Sequence, residues 1–183
     1  MGTMARNDVV GFLKEQHEQI KALFAEVSMK QGKARKHSFY ALRRLLAVHE
    51  TAEEEIVHPA ARRCLPDGNE VVAARLREEN AAKKLLSDLE HLDVDSVEFE
   101  TKFQTLRTSV IAHAESEEQT EFERLGSHLK KDRLDRMRRT VELAESIAPT
   151  RPHPGVESPM ANMLAGPFVA MVDRLRDALT GKA

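Results

Sequence analysis

One cysteine, Cys64, is all the thiol in this chain of 183 residues, so no internal disulfide can form. A structural zinc site built on several thiolates is excluded with it. Long apolar runs are missing too. No stretch reaches the roughly 18 consecutive apolar residues needed to span a bilayer, and the N-terminal MGTMARNDVV lacks a secretory core. A cytoplasmic location and no membrane partner are therefore expected. The 28 basic and 30 acidic side chains leave a formal charge of -2, with no sustained basic surface to neutralise a nucleic-acid backbone. Nor is there a phosphate-cradling glycine loop, a nucleophile elbow or a Ser-His-Asp set that helices could assemble. Any catalysis has to come from a bound metal.

What is present is helical periodicity. Apolar residues recur at steps of three and four nearly throughout, which predicts an all-α, up-down-up-down four-helix bundle with additional C-terminal helices. The first helix runs from about Asp8 to Val27, with Leu13, His17, Ile20 and Phe24 on its stripe. A second, from about Ser38 to Arg62 after the polar QGKARK, carries Phe39, Leu42, Leu46, His49, Glu53 and Ile56, and Pro59 is expected to end or bend it. The LPDGN turn leads into a third helix to about Leu92 with Val72, Leu76, Glu79, Leu86 and Leu89 together. A fourth spans about Val97 to Leu125, with Phe99, Phe103, Leu106, Val110, His113 and Glu117, and Gly126 as its stop. Beyond it, Leu134, Met137, Val141 and Ala144 form a thin apolar line that should lie on the outside of the bundle. The metal-binding bundle is thus assigned to residues 8–147, a Pro-rich linker to 148–159 and an amphipathic helix to 160–180.

Two segments share one pattern. His49 and Glu53 in HETAEEEIVHP are repeated by His113 and Glu117 in HAESEEQTEFE, 64 residues later. At about 100° per residue, an i, i+4 pair lies only about 40° apart on a helix, so each pair presents a nitrogen and an oxygen to one point. Both pairs lie on apolar stripes, where a lone carboxylate is strongly penalised and a cation removes the penalty. His17 adds an imidazole from the first helix and Glu79 a carboxylate from the third. Imidazole and carboxylate ligands on facing helices point to non-haem iron or manganese.

The segments LKEQHEQIKAL, LLAVHETAEEEIVHPA, EENAAKKLLSDL and VIAHAESEEQTEFE resemble the hemerythrin family, in particular its His-His-Glu cation-binding domain, over roughly residues 8–147. The resemblance implies an oxo- or hydroxo-bridged pair of iron ions, with manganese as the second choice. It assigns His17, His49, Glu53, His113 and Glu117 as ligands. Glu118 is the alternative to Glu117 at the family's five-residue spacing, although on an ideal helix it lies about 140° from His113. The third helix departs from the family. Aligning Leu13 with Leu76 sets Asn80 opposite His17, and a further histidine one turn on would fall at Lys83 or Lys84. Glu79 and Asn80 both stand as the third-helix ligand, with Glu79 on the apolar stripe. With Glu79 the shell has three imidazoles and three carboxylates, and hard oxygen donors favour Fe(III). Reaction with dioxygen, peroxide or nitric oxide then suits the centre better than reversible oxygen carriage.

Other polar residues receive blander readings. Glu50, Glu54, Glu55, Glu115 and His37 are assigned to the surface, and His58, just before Pro59, to a supporting or surface role. His128 and His153 fall outside the bundle, and Tyr40 points away from His49 and reads as packing. Two other functions stand beside metal redox chemistry. One is an iron-responsive sensor whose C-terminal region signals to a partner, with homodimerisation through the last helix. The other is an interaction bundle whose metal residues have decayed.

Overall fold

In the computed structural model, which describes residues 7–147, the apolar stripes become five rods of helix. Asp8 caps α1 (Val9–Met29), its carboxylate accepting the Gly11 N–H at 3.1 Å. The next rod joins α2 (Gly32–Ala52), a π-helical turn at Glu53–Val57 and α3 (His58–Cys64), because Glu53 and His58 at the junctions keep right-handed helical angles. After a turn through Leu65 and Asp67 comes α4 (Gly68–Leu89). Ser96 caps α5 (Val97–Glu117) by accepting the Phe99 N–H at 3.1 Å. A second π-helical turn, Glu118–Phe122, carries that rod into α6 (Glu123–His128), and α7 (Lys131–Ile147) is the fifth rod.

The first four rods form the up-down-up-down bundle, and α7 packs outside it against α1 and α2. Its thin apolar line suffices: Leu134, Met137, Val141 and Ala144 are all buried. Two apolar clusters fill the bundle. One holds Ile20, Phe24, Phe39, Leu42, Leu86, Phe99, Phe103 and Leu106, with the Phe39 and Phe99 rings edge-on at 5.1 Å. The other holds Leu13, Ile56, Val57, Val72, Phe122 and Leu125 together with the α7 residues. On each of the first four rods the polar residues that interrupt the stripes fall between these clusters. His17, His49, Glu53, Glu79 and Glu117 therefore make one buried polar layer inside the bundle.

Boundaries differ from the sequence expectation on two rods, the fourth running through Gly126, its expected stop, to His128, and the second differing more. The second rod begins at Gly32 rather than Ser38, since Arg35 within the polar QGKARK is buried, with its guanidinium 5.0 Å over the Phe99 ring and paired to Glu100. Gly32 adopts φ 54°, a left-handed value suited to glycine, and Asp95 accepts its N–H. The same rod continues past Pro59 to Cys64. Pro59 lies in the first turn after the π-helical segment, where a missing N–H is tolerated. Residues 148–159 and 160–180, assigned to a linker and a last helix, lie outside the described residues.

Candidate metal centre

The layer is built from imidazoles held at their outer nitrogen. His49 Nδ1–H donates to Gln16 Oε1 at 2.8 Å, and His17 Nδ1–H to Glu118 Oε1 at 2.9 Å. His113 Nδ1–H donates to Glu78 Oε2 at 2.9 Å. In each ring the outer acceptor takes the Nδ1–H and turns Nε2 inward. The Phe122 ring, stacked on His17 at 5.6 Å, fixes that imidazole further. His17 Nε2 then lies 3.1 Å from His49 Nε2 and 3.5 Å from Glu117 Oε2, while His49 Nε2 is 3.2 Å from Glu53 Oε1. His113 Nε2 lies 3.6 Å from Glu117 Oε2.

The carboxylates converge on these nitrogens without being satisfied. Both oxygens of Glu53 and of Glu117, one each of Glu79 and Glu121, and His113 Nε2 are buried with no hydrogen-bond partner. Burial pushes the Glu53 carboxyl well above the usual carboxylate range, and the neighbouring carboxylates of Glu117, Glu79 and Glu121 push it further. Burial acts the same way on Glu117, but the adjacent imidazole of His17 and the nearby His113 and His58 hold it low. His49 is driven well below its ordinary value by burial and by His17, which keeps its ring neutral and able to ligate. Ligand atoms of His17, His49, Glu53 and Glu117 all lie within 4.8 Å of one another, as do those of Glu53, Glu79 and His113. Buried, unpaired oxygens facing inward imidazole lone pairs fit a metal cation, and they match no other group as well.

The structure brings together all six residues singled out from sequence: His17, His49, Glu53, Glu79, His113 and Glu117. Of the alternatives, Glu118 lies behind His17 with a quarter of its side chain exposed, and Glu79, not Asn80, stands in the cluster, 1% exposed.

Two residues were missed. His58 is 2% exposed, with Nε2 2.7 Å from Glu79 Oε1 and Nδ1 3.0 Å from Glu121 Oε1, which rules out its surface reading. Ligand atoms of His58, Glu117 and Glu121 lie within 4.8 Å of one another. On an ideal helix His58 stands about 180° from His49. The π-helical turn between them absorbs one residue and swings His58 round by roughly 100°. Glu121 carried a readable signal, because it continues the four-residue series from His113 through Glu117.

Glu50 and Glu54 also depart from their surface assignment. Glu50 is buried and Glu54 half-buried against Lys83, whose ammonium pairs with Glu54 and lies 3.7 Å from Glu50 and 3.9 Å from Glu79. Burial raises the Glu50 carboxyl to about 8 and that of Glu54 to about 7, with Lys83 opposing in both. Glu115, His37 and His128 are exposed as expected, and Tyr40 is 43% exposed.

The hemerythrin HHE cation binding domain profile matches residues 8–125 of this sequence. The chain belongs to that family. An uncharacterized hemerythrin-like protein of Schizosaccharomyces pombe is 28% identical over 136 residues, which cover 73% of this chain and 67% of the yeast protein. The crystal structure of a hemerythrin HHE cation binding domain-containing protein from Mycobacterium kansasii has the same fold. It superposes with a TM-score of 0.67 at 19% identity, covering 92% of this chain and 98% of that one. The protein is thus a hemerythrin-like cation-binding domain with a buried histidine and glutamate cluster. Among the described residues no helix is long and apolar enough to cross a membrane.

Proposed function

We propose that this is a non-haem di-iron protein that binds or reacts with dioxygen, peroxide or nitric oxide, with His17, His49, Glu53, Glu79, His113 and Glu117 as ligands. The facing Nε2 atoms of His17 and His49, 3.1 Å apart, carry the reading. Both rings spend their Nδ1 proton on an outer acceptor, so two lone pairs meet unless a proton or a cation stands between them. With Glu53 and Glu117 alongside, a cation satisfies nitrogens and oxygens together. Imidazole with carboxylate, and no thiolate, favours iron or manganese over structural zinc.

Bound iron supplies the one-electron chemistry and the open coordination positions that no side chain here offers. The chain supplies rigid ligands and a dry approach. A pocket walled by Ile20, Leu46, Ala82, Val110 and Ala114 ends on His49, Glu79 and His113. Its apolar wall suits a small molecule of low charge and shields the ligands from bulk water. To test the reading, protein loaded anaerobically with Fe(II) is mixed separately with dioxygen, hydrogen peroxide and nitric oxide while absorbance is followed. Rapid change that removal of gas does not reverse is expected with dioxygen or peroxide. Full release of dioxygen over many cycles, or no change with any of the three, contradicts it.

One observation favours the sensor reading. Gln16, which holds His49, also donates from Nε2 to Glu145 Oε1 at 2.8 Å, tying a ligand to α7. A sensor requires metal loading to alter amide hydrogen exchange across α7. Identical exchange with and without metal eliminates that role.

A further inference from the structure

Beyond those six residues, the cluster continues for one more turn along the bundle. His58, Glu79 and Glu121 are 2%, 1% and 0% exposed, and both Glu79 and Glu121 have an Oε2 atom without a hydrogen-bond partner. The His58 nitrogens stand 2.7 and 3.0 Å from carboxylate oxygens. Neighbouring ligands on an octahedral ion with bonds of about 2.1 Å are themselves roughly 3 Å apart, so the Nδ1–Glu121 spacing fits a shared cation, with Nε2 left bonded to Glu79. Glu117 belongs both to the group around His17 and His49 and to the one with His58 and Glu121, while Glu53 links His17 and His49 to Glu79 and His113. These two carboxylates lie between a histidine-rich end and a carboxylate-rich end.

Charge supports the same division. Glu53, Glu79, Glu117 and Glu121 together carry four negative charges when ionised, balanced by two divalent cations or by two ferric ions sharing an oxide. Both rods that supply the repeated pairs change to π-helical geometry just after the glutamate, and that local change brings His58 round to the cluster.

We propose that His58 and Glu121 are metal ligands which, with Glu117, form the oxygen-rich half of a non-equivalent cation pair. Glu117 is shared with a nitrogen-rich half of His17, His49 and Glu53, and Glu53 links that half to Glu79 and His113. The inference rests on the di-iron reading and adds His58 and Glu121, from outside the six, to its ligands. The competing account keeps His58 as a positioning residue, a charged ring clamped between Glu79 and Glu121 that never meets metal.

The test is metal content per chain of the full-length protein after loading with 57Fe(II) in air. His58→Gln and Glu121→Gln are compared with wild type and with Glu115→Gln at an exposed position. Glutamine keeps a hydrogen-bonding end of similar reach, so it rescues a positioning role better than a ligating one. Circular dichroism establishes that each variant is folded. About two irons in wild type and in Glu115→Gln, falling to about one in the folded His58 and Glu121 variants, supports the division. Two irons retained in both variants, or loss of both ions from folded variants, overturns it. Should either variant fail to fold, the Mössbauer spectrum of wild type decides. Two quadrupole doublets of equal area are expected, and a single doublet refutes non-equivalence. A wild type without iron refutes the di-iron reading itself, which is distinguishable from variants that keep both ions.

Discussion

At the scale of single residues, each inward imidazole depends on the acceptor behind it. Gln16 is the clearest case, since its amide oxygen alone holds the His49 Nδ1 proton. Gln16→Leu removes that acceptor and frees the ring, and iron affinity should fall about 10- to 100-fold with the fold retained. Titration against a competing chelator measures this, and unchanged affinity contradicts the positioning role. Protons report on the same residues. Burial opposes a charge on His113, yet its bond to Glu78 and the nearby Glu117 raise it to about 9, and hydrogen bonds to Glu121 and Glu79 raise His58 well above the usual histidine range despite burial. Both rings hold protons in the metal-free protein at neutral pH, and a ligating nitrogen must release its proton. Metal loading should therefore expel protons, and apparent affinity should fall about tenfold per pH unit for each proton displaced, the His113 share below about pH 9. Calorimetry in buffers of different ionisation enthalpy counts them, and zero release contradicts the account.

At the scale of elements, the join between α3 and α4 is tightly packed. A Cβ on Gly68 would stand 2.3 Å from the Ala61 carbonyl oxygen and 2.8 Å from the Arg62 Cα, both backbone atoms with little room to move. Gly68→Ala should cost about 1–3 kcal/mol by urea denaturation. On α7, Leu134 is 1% exposed in the core, and Leu134→Ala should cost about 2–5 kcal/mol. Much of this architecture was legible in the sequence, because Leu13, Phe24, Leu42, Leu86 and Phe103 recur at helical spacing and are all buried where that spacing puts them. The six residues of the polar layer were legible for the same reason. His58 was not, since its phase depends on a π-helical turn that no fixed angle per residue anticipates. Glu50 and Glu54 escaped because their burial depends on Lys83 reaching across from another rod. The early start of α2 was hidden by Arg35, a charged residue whose guanidinium covers the buried Phe99 ring.

For the whole molecule, the design is a polar layer between two apolar clusters. In the metal-free protein that layer holds converging carboxylates with unmet oxygens, a cost the surrounding hydrophobic burial has to offset. Metal binding to the folded state alone reverses the cost, and stabilisation should reach about 4 kcal/mol at a free metal concentration a thousand times Kd. The central claim is that this layer is a di-iron centre, and metal content with an optical spectrum of iron-loaded protein tests it most directly. The account predicts about two irons per chain with near-ultraviolet bands that His49→Ala loses. A folded wild type that takes up little or no iron would contradict it and leave an interaction bundle as the better description.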